Sequence, residues 1–245
     1  MSAASSRGNV AVPIVALDYS SVEPALEMAR MLGDRCRFYK VGSELFTAAG
    51  PAILRTLREE LGADVFLDLK FHDIPNPVAG AVRSAARLGA RLVTVHASGG
   101  QPMLEAAQRA AGEESGGACG VLAVTVLTSV TPGVLATAWG RTEPLEPEQE
   151  VLRLAGLAAD SALHGIVCSG AEVAAVRERF GDRLAPLVPG IRLAGGATHD
   201  QARVMTPAAA QAAGARYLIL GRAVTAADDP AEAMERVLAE LGEEA

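Results

Sequence analysis

Short apolar segments and longer helical segments alternate eight times along this chain of 245 residues. Each apolar segment is rich in Val, Ile and Leu and ends in a polar residue or a Gly, and a stretch of Ala, Leu, Arg and Glu with helical spacing follows it. Such strand, loop and helix units are typical of parallel sheets. Eight units of about 30 residues predict an α/β protein with the (β/α)₈ TIM barrel fold, which commonly takes about 250 residues as one domain.

The predicted strands are nearly continuous apolar runs, which suits strands that are covered on both faces. The pattern also predicts a helix over 51–61 and an irregular loop over 128–147, which contains three prolines. An open, doubly wound sheet is the alternative fold, but no GxGxxG motif follows the first strand. We expect a flexible tail over 1–9 and a single barrel domain over 10–245.

The net charge of −7 argues against a general nucleic-acid or membrane-surface binder, because such surfaces carry a basic excess. Three widely spaced cysteines favour a reducing compartment over a disulfide framework. The chain begins without a secretory signal pattern, and no apolar run approaches the 18 residues of a membrane span. We therefore expect a cytoplasmic protein that binds neither nucleic acid nor membrane.

Charged residues concentrate where the predicted strands end, the face on which barrel enzymes carry their active sites. Asp68 and Lys70 end the third strand, and because residues two apart share a face of a strand, both are predicted to point the same way. Lys40 ends the preceding strand and Asp73 follows closely. Opposite charges fix an ammonium group in place, and a lysine so held can deliver a proton. A purely structural ion-pair network at the barrel mouth is the alternative.

A second group of polar residues follows the seventh and eighth predicted strands, where barrels often bind phosphate. Arg192 and Arg222 offer charged forks, Gly221 lets the backbone approach a ligand closely, and Gln201 can donate an amide hydrogen. The position favours a phosphate site over isolated surface arginines.

These pieces, taken in order, resemble the orotidine 5′-phosphate decarboxylase family. The stretch DLKFHDIPN at 68–76 is the most specific, because it contains the pattern DxKxxDI. The other matching pieces are ALD at 16–18, KVG at 40–42, VPGIR at 188–192, DQ at 200–201 and GR at 221–222.

The resemblance implies decarboxylation of orotidine 5′-monophosphate to UMP and CO₂, the last step of UMP synthesis, without a metal or an organic cofactor. It implies that Lys70 protonates C6 of the pyrimidine, that Asp68 lies beside the substrate carboxylate and that Lys40 links the network. It also implies a homodimer in which Asp73 reaches into the partner's site. The substrate contacts that it implies are Asp18, Lys40, Asp68, Ile74, Pro77, Thr128, Arg192, Gln201, Gly221 and Arg222.

Pro77 departs from the family pattern, which usually has Thr at this position. Proline offers neither a hydroxyl nor a backbone N–H, so we expect weaker substrate binding with the chemistry retained. We also expect the loop over 193–205 to order over the phosphate. His96 ends the fourth predicted strand and is left outside the catalytic set.

Two other functions are open. Metal-dependent ketogulonate phosphate decarboxylases and hexulose phosphate synthases share the superfamily, but they place a carboxylate metal ligand near the end of the second strand, where this chain has Lys40. A nucleotide-binding barrel without turnover is the other alternative, and Pro77 is the one feature that favours it.

Overall fold

The computed structural model of this chain describes residues 10–193 and 205–242. Eight parallel strands pair in chain order, and the eighth pairs with the first to close a barrel. The (β/α)₈ prediction is therefore confirmed. The strands are β1 Val12–Ala16, β2 Phe38–Gly42, β3 Asp64–Phe71, β4 Leu92–His96, β5 Gly120–Val124, β6 Gly165–Val167, β7 Ala185–Val188 and β8 Tyr217–Leu220.

Helices connect the strands and cover the barrel. Several begin with Pro in the first turn, where its missing N–H costs no hydrogen bond. The helices are α1 Val22–Leu32, α2 Ser43–Ala49, α3 Ala52–Arg55, α4 Pro75–Arg87, α5 Gln101–Ser115, α6 Pro132–Ala138, α7 Pro147–Asp160, α8 Val173–Phe180, α9 Pro207–Ala213, α10 Arg222–Thr225 and α11 Pro230–Leu241.

The core forms two layers because successive strand residues face opposite sides. On β1, Ile14 and Ala16 belong to the cluster inside the barrel, whereas Val15 belongs to the cluster between the barrel and the helices. The inner cluster fills the barrel with large side chains such as Phe66. The three cysteines are buried free thiols, and burial raises the pKa of the Cys36 thiol to about 11.

The connections that follow β2 and β5 differ from the prediction. The predicted helix over 51–61 consists of α3 and a π-helical turn, Thr56–Glu60, and α2 precedes it. The predicted irregular loop over 128–147 contains α6, whose first turn is capped by the Thr131 side chain accepting from the Val134 N–H. Short amphipathic segments such as these lack the length that makes helical spacing readable in a sequence. The predicted tail over 1–9 lies outside the described residues.

Candidate active site

A cavity of about 350 Å³ opens at the carboxyl ends of the strands. This volume lies within the range of small-molecule sites, which is roughly 300–1,000 Å³. The charged residues at the ends of β1, β2 and β3 form its charged side, and Arg192 and Arg222, which follow β7 and β8, form its arginine side. Apolar side chains complete the lining. Among the lining residues are Asp18, Lys40, Phe66, Asp68, Lys70, Val124, Val126, Leu127, Thr128, Val167, Leu187, Pro189, Gly190, Arg192, Ile219, Gly221 and Arg222.

Four charges of alternating sign form the charged side. Asp18 Oδ1 lies 2.7 Å from Lys40 Nζ, which in turn lies 3.9 Å from Asp68 Oδ2. Lys70 Nζ lies 2.9 and 2.8 Å from the two oxygens of Asp68. The Asp68 side chain is 13 % exposed and that of Lys70 is 37 % exposed. A carboxylate shielded from water thus holds an ammonium group that still reaches the cavity.

The end of β3 departs from a regular strand. Leu67 pairs with Val93 and Phe71 with Val95, so β3 advances four residues while β4 advances two. Lys70 has φ +52°, a left-handed conformation that costs a non-glycine residue roughly 1–2 kcal/mol. The structure brings Asp68 and Lys70 together as an ion pair, but it does so through a bulge and not through the regular strand alternation on which the prediction relied.

Thr94 on β4 was missed by sequence reasoning. Its hydroxyl is buried, accepts a hydrogen bond from the Lys70 N–H at 2.9 Å and lies 3.0 Å from Asp68 Oδ1. The available signal was a polar residue in the middle of the apolar strand LVTVH.

Gly42 was also missed as a functional residue. A Cβ at this position would lie 2.9 Å from Lys40 Nζ and 3.0 Å from Asp18 Oδ1. A side chain here would therefore displace the ion pair. Gly42 leaves room for two charged groups to meet at the end of β2.

The arginine side of the cavity follows β7 and β8. Arg192 and Arg222 both line it, together with Gly221, which directly precedes α10. A Cβ at Gly221 would meet no atom within 4 Å, so a ligand can approach this backbone closely. Between β7 and α9, Ile191 and Met205 pair in an isolated parallel β-bridge. The predicted contact of Gln201 and the ordering of residues 194–204 lie outside the described residues.

Three predicted site residues do not line this cavity within the described structure. Asp73, Ile74 and Pro77 lie at the exposed beginning of α4, and the Ile74 side chain is 68 % exposed. The Asp73 carboxylate accepts a hydrogen bond from the Ile74 N–H at 2.7 Å. Asp73 is predicted to reach into a partner's site, whereas Ile74 and Pro77 are predicted to contact the substrate, and all three roles stay predictions.

Two histidines, His72 and His96, lie near Lys70 and Asp68. The rings of His72 and His96 have centroids 5.3 Å apart. Burial is the main reason that the pKa of His96 is lowered, and the nearby charges of His72 and Lys70 lower it further, while Asp68 opposes them. Burial and these two positive neighbours therefore favour the neutral form of His96.

Within residues 10–193 and 205–242, no three His, Cys, Asp or Glu side chains form a group that could hold a metal ion. In the same part of the chain, no helix combines the length and the apolar character needed to cross a membrane. The cytoplasmic location stays a prediction.

Comparison with known proteins identifies relatives over nearly the whole chain. The orotidine 5′-phosphate decarboxylase of Halorhodospira halophila is 51 % identical over 228 residues, which cover 93 % of this chain and 94 % of that protein. The enzyme of the same name from Marinomonas sp. is 46 % identical over 236 residues, 94 % of this chain and 96 % of that protein.

A solved structure shows the same architecture. The crystal structure of orotidine 5′-phosphate decarboxylase from Lactobacillus acidophilus matches with a TM-score of 0.83 and 37 % identity, covering 94 % of this chain and 99 % of that one. Residues 12–237 match the model of the orotidine 5′-phosphate decarboxylase / HUMPS family. The match spans all eight strands, and the chain therefore belongs to the orotidine 5′-phosphate decarboxylase / HUMPS family.

Proposed function

We propose that this protein is an enzyme that converts orotidine 5′-monophosphate into UMP and CO₂, the last step of de novo pyrimidine biosynthesis. Relatives that are 51 % and 46 % identical carry the name of this activity. One observation carries the proposal. Lys70 Nζ lies within 2.9 Å of both Asp68 oxygens, in the same cavity as Arg192 and Arg222.

The two sides of the cavity suit the two ends of a nucleotide. Arg192 and Arg222 supply positive forks for the phosphate, with the Gly221 backbone beside them. Asp18 and Lys40 supply an acceptor and a donor for ribose hydroxyls. This orientation directs the pyrimidine towards the Asp68 and Lys70 side. Thr128 and the apolar walls contact the ring in this arrangement.

The chemical step breaks the bond between C6 and the carboxyl carbon, and its electron pair stays on C6. CO₂ leaves, and the Lys70 ammonium transfers a proton to C6 to form the new C–H bond. Lys70 becomes a neutral amine and regains a proton from solvent. A fixed ammonium beside the developing carbanion stabilises the transition state without reorganisation. Because the proton comes from Lys70 itself, the proposed step uses neither a metal nor an organic cofactor.

The metal-dependent relatives named above are the alternative function. The residue at the end of β2 favours the metal-independent orotidine 5′-monophosphate decarboxylase over them. The ammonium of Lys40 lies there, 2.7 Å from Asp18 Oδ1. A fixed positive charge opposes binding of a divalent cation nearby. Turnover that persists at full rate in excess chelator supports this choice, and turnover that the chelator abolishes contradicts it.

The test of function is an absorbance assay with purified protein and orotidine 5′-monophosphate. Wild type is expected to turn over, and Lys70→Ala is expected to lose turnover while still binding UMP, because the arginine side of the cavity stays intact. Wild-type protein that binds UMP without turning over the substrate would refute the enzyme and favour a nucleotide-binding barrel.

We also infer that the active form is a homodimer in which Asp73 enters the partner's site. Asp73 lies exposed at the beginning of α4, outside the lining of its own cavity, and next to the exposed apolar side chain of Ile74. Burial of that side chain against a second copy is favourable.

Mixing two inactive variants tests this arrangement. A hybrid of Lys70→Ala and Asp73→Ala chains has one site with both native residues, so a random mixture should recover about a quarter of the wild-type activity in a two-fold dimer. Each variant alone is the control. A mixture as inactive as its components contradicts a shared site.

Pro77 lies on the same exposed turn as Asp73. We propose that it weakens substrate binding relative to a Thr, because it provides no hydroxyl donor. Pro77→Thr is then expected to lower KM with kcat unchanged. An unchanged or higher KM contradicts this role.

A further inference from the structure

We propose that Thr94 is a positioning residue that holds Lys70 and Asp68 in their reactive arrangement. The inference rests on the proposed function, and it concerns a residue that lies behind the reacting groups. Thr94 is fully buried on β4, and its hydroxyl is shared between the backbone of Lys70 and the carboxylate of Asp68.

The backbone at Lys70 needs such a partner. Between Leu67 and Phe71 the pairing of β3 with β4 shifts by two residues, so Lys70 lies outside the regular ladder. Among the described residues, Lys70 and Ala162 are the non-glycine residues with positive φ. A left-handed lysine persists when its surroundings hold it there. The Lys70 N–H donates to Thr94 Oγ1 at 2.9 Å, which ties this backbone to β4.

The hydroxyl has one hydrogen, and its direction follows from its partners. Because Thr94 Oγ1 accepts the Lys70 N–H, its own hydrogen is free to donate to Asp68 Oδ1 at 3.0 Å. The same Oδ1 accepts from Lys70 Nζ at 2.9 Å. The contacts therefore form a closed circuit in which one hydroxyl sets both the rotation of the carboxylate and the backbone that carries the proton donor.

Loss of the hydroxyl opens this circuit at two points. Thr94→Val keeps the shape of the side chain but leaves the Lys70 N–H and Asp68 Oδ1 each without one partner. Lys70 Nζ then shifts from the reacting carbon, and a displacement of about 1 Å can lower a rate about 100-fold. The arginine side of the cavity is untouched, so UMP affinity is expected to change by less than about threefold.

Thr125 provides the matched control. It is buried like Thr94, follows β5 at the same end of the barrel, and donates to the backbone carbonyl of Val167 at 2.7 Å rather than to the charged residues. Thr125→Val removes a buried hydroxyl and is expected to keep kcat within about twofold of wild type. Thr94→Ser restores the donor and acceptor and is expected to recover most of kcat.

The composition of the chain supplies a direct readout. Lys40 and Lys70 are its two lysines, and the other 20 of its 22 basic residues are arginines. Selective isotope labelling of lysine therefore gives two side-chain NMR signals. The chemical shift of the Lys70 signal is expected to change in Thr94→Val and to stay as in wild type in Thr125→Val. This measurement needs no turnover, so it tests Thr94 even if the protein fails to decarboxylate the substrate.

Three results would overturn the proposal. They are full kcat in Thr94→Val, equal losses of kcat in the two valine variants, and an unchanged Lys70 signal. If Thr94→Val does not fold, the Lys70 backbone amide of wild type decides the matter. Protection from hydrogen exchange like that of the Lys40 amide supports the proposal, and exchange as fast as a solvent-exposed amide refutes it.

Discussion

At the carboxyl ends of the strands both lysines of the chain face carboxylates, whereas at the amino ends arginines donate to backbone carbonyls. Arg91, just before β4, donates to the carbonyl of Ala118 at 2.6 Å. Arg216, just before β8, donates to the carbonyl of Val10 at 2.8 Å. The charges are alike, but the lysines pair with carboxylates in the candidate active site, whereas Arg91 and Arg216 tie neighbouring chain segments together.

The difference shows what each cation can do. A guanidinium keeps its proton in proteins and anchors several acceptors, whereas an ammonium can release a proton when its surroundings are arranged for it. Arginine therefore suffices where a cation only holds the chain together. In a (β/α)₈ barrel the carboxyl ends of the strands carry chemistry and the amino ends carry stability. The four predictions that follow test whether this division is real.

The largest expected effect is that of Lys70→Arg. The variant keeps the positive charge beside Asp68 but loses the transferable proton, so kcat should fall by about 10³-fold or more. The measurement is the rate of decarboxylation together with UMP affinity by calorimetry. Arg91→Lys, the reverse exchange at the amino ends, is the control and should keep kcat. A Lys70→Arg variant with a tenth of wild-type activity would break the comparison.

Among the proposed variants, Gly165→Ala should lower the free energy of unfolding the most. A Cβ at the start of β6 would lie 2.0 Å from the carbonyl oxygen of Ala185, a backbone atom that cannot move aside. Overpacking of this kind lowers the free energy of unfolding by about 1–3 kcal/mol. Urea unfolding measures it, and kcat per folded molecule should remain that of wild type. An equal loss of kcat would show that the two ends are not independent.

Gly42→Ala is the matching substitution at the carboxyl ends. Its Cβ would meet Lys40 Nζ and Asp18 Oδ1, the tips of side chains that can move. We expect kcat/KM to fall about tenfold because these groups are displaced. The free energy of unfolding should fall less than in Gly165→Ala. Steady-state kinetics and urea unfolding are measured on both variants. A larger loss of kcat/KM in Gly165→Ala, or a larger loss of unfolding free energy in Gly42→Ala, contradicts the prediction.

The smallest effect concerns pH. His96 near the carboxyl ends and His164 near the amino ends both have a pKa below the ordinary value of about 6.5, mainly because of burial. Below about pH 6.5 the unfolded chain takes up protons that the folded chain does not, so stability present above that pH is lost as the pH falls.

The measurement is the free energy of unfolding at pH 7.5 and pH 5.5. His164→Gln and His96→Gln should each reduce the loss on acidification. His164→Gln, which removes the contact of His164 Nε2 with the Tyr217 hydroxyl at 2.9 Å, should leave kcat unchanged. A loss of equal size in wild type and both variants would exclude these histidines as its cause.

Sequence reasoning predicted the barrel and the meeting of Lys40, Asp68 and Lys70, because both depend on the order of strands and on which end each residue follows. It missed α2 and α6, because these helices are short and depend on local capping and packing for their stability. It also missed Thr94 and Gly42. Their roles depend on contacts between strands, and spacing along one strand does not report such contacts.

The pattern of apolar runs and helical stretches by itself determined eight parallel strands that are buried on both faces and joined by helical crossovers, and it favoured a barrel over an open sheet. The tertiary structure decided the closure, through the pairing of β8 with β1. The residue types at the strand ends also determined that opposite charges gather at one mouth. The tertiary structure alone decided the bulge in β3, the left-handed backbone of Lys70 and the hydroxyl that ties it to Asp68. The physical reason is that a backbone of this kind is unfavourable locally and exists because a neighbouring strand compensates for it.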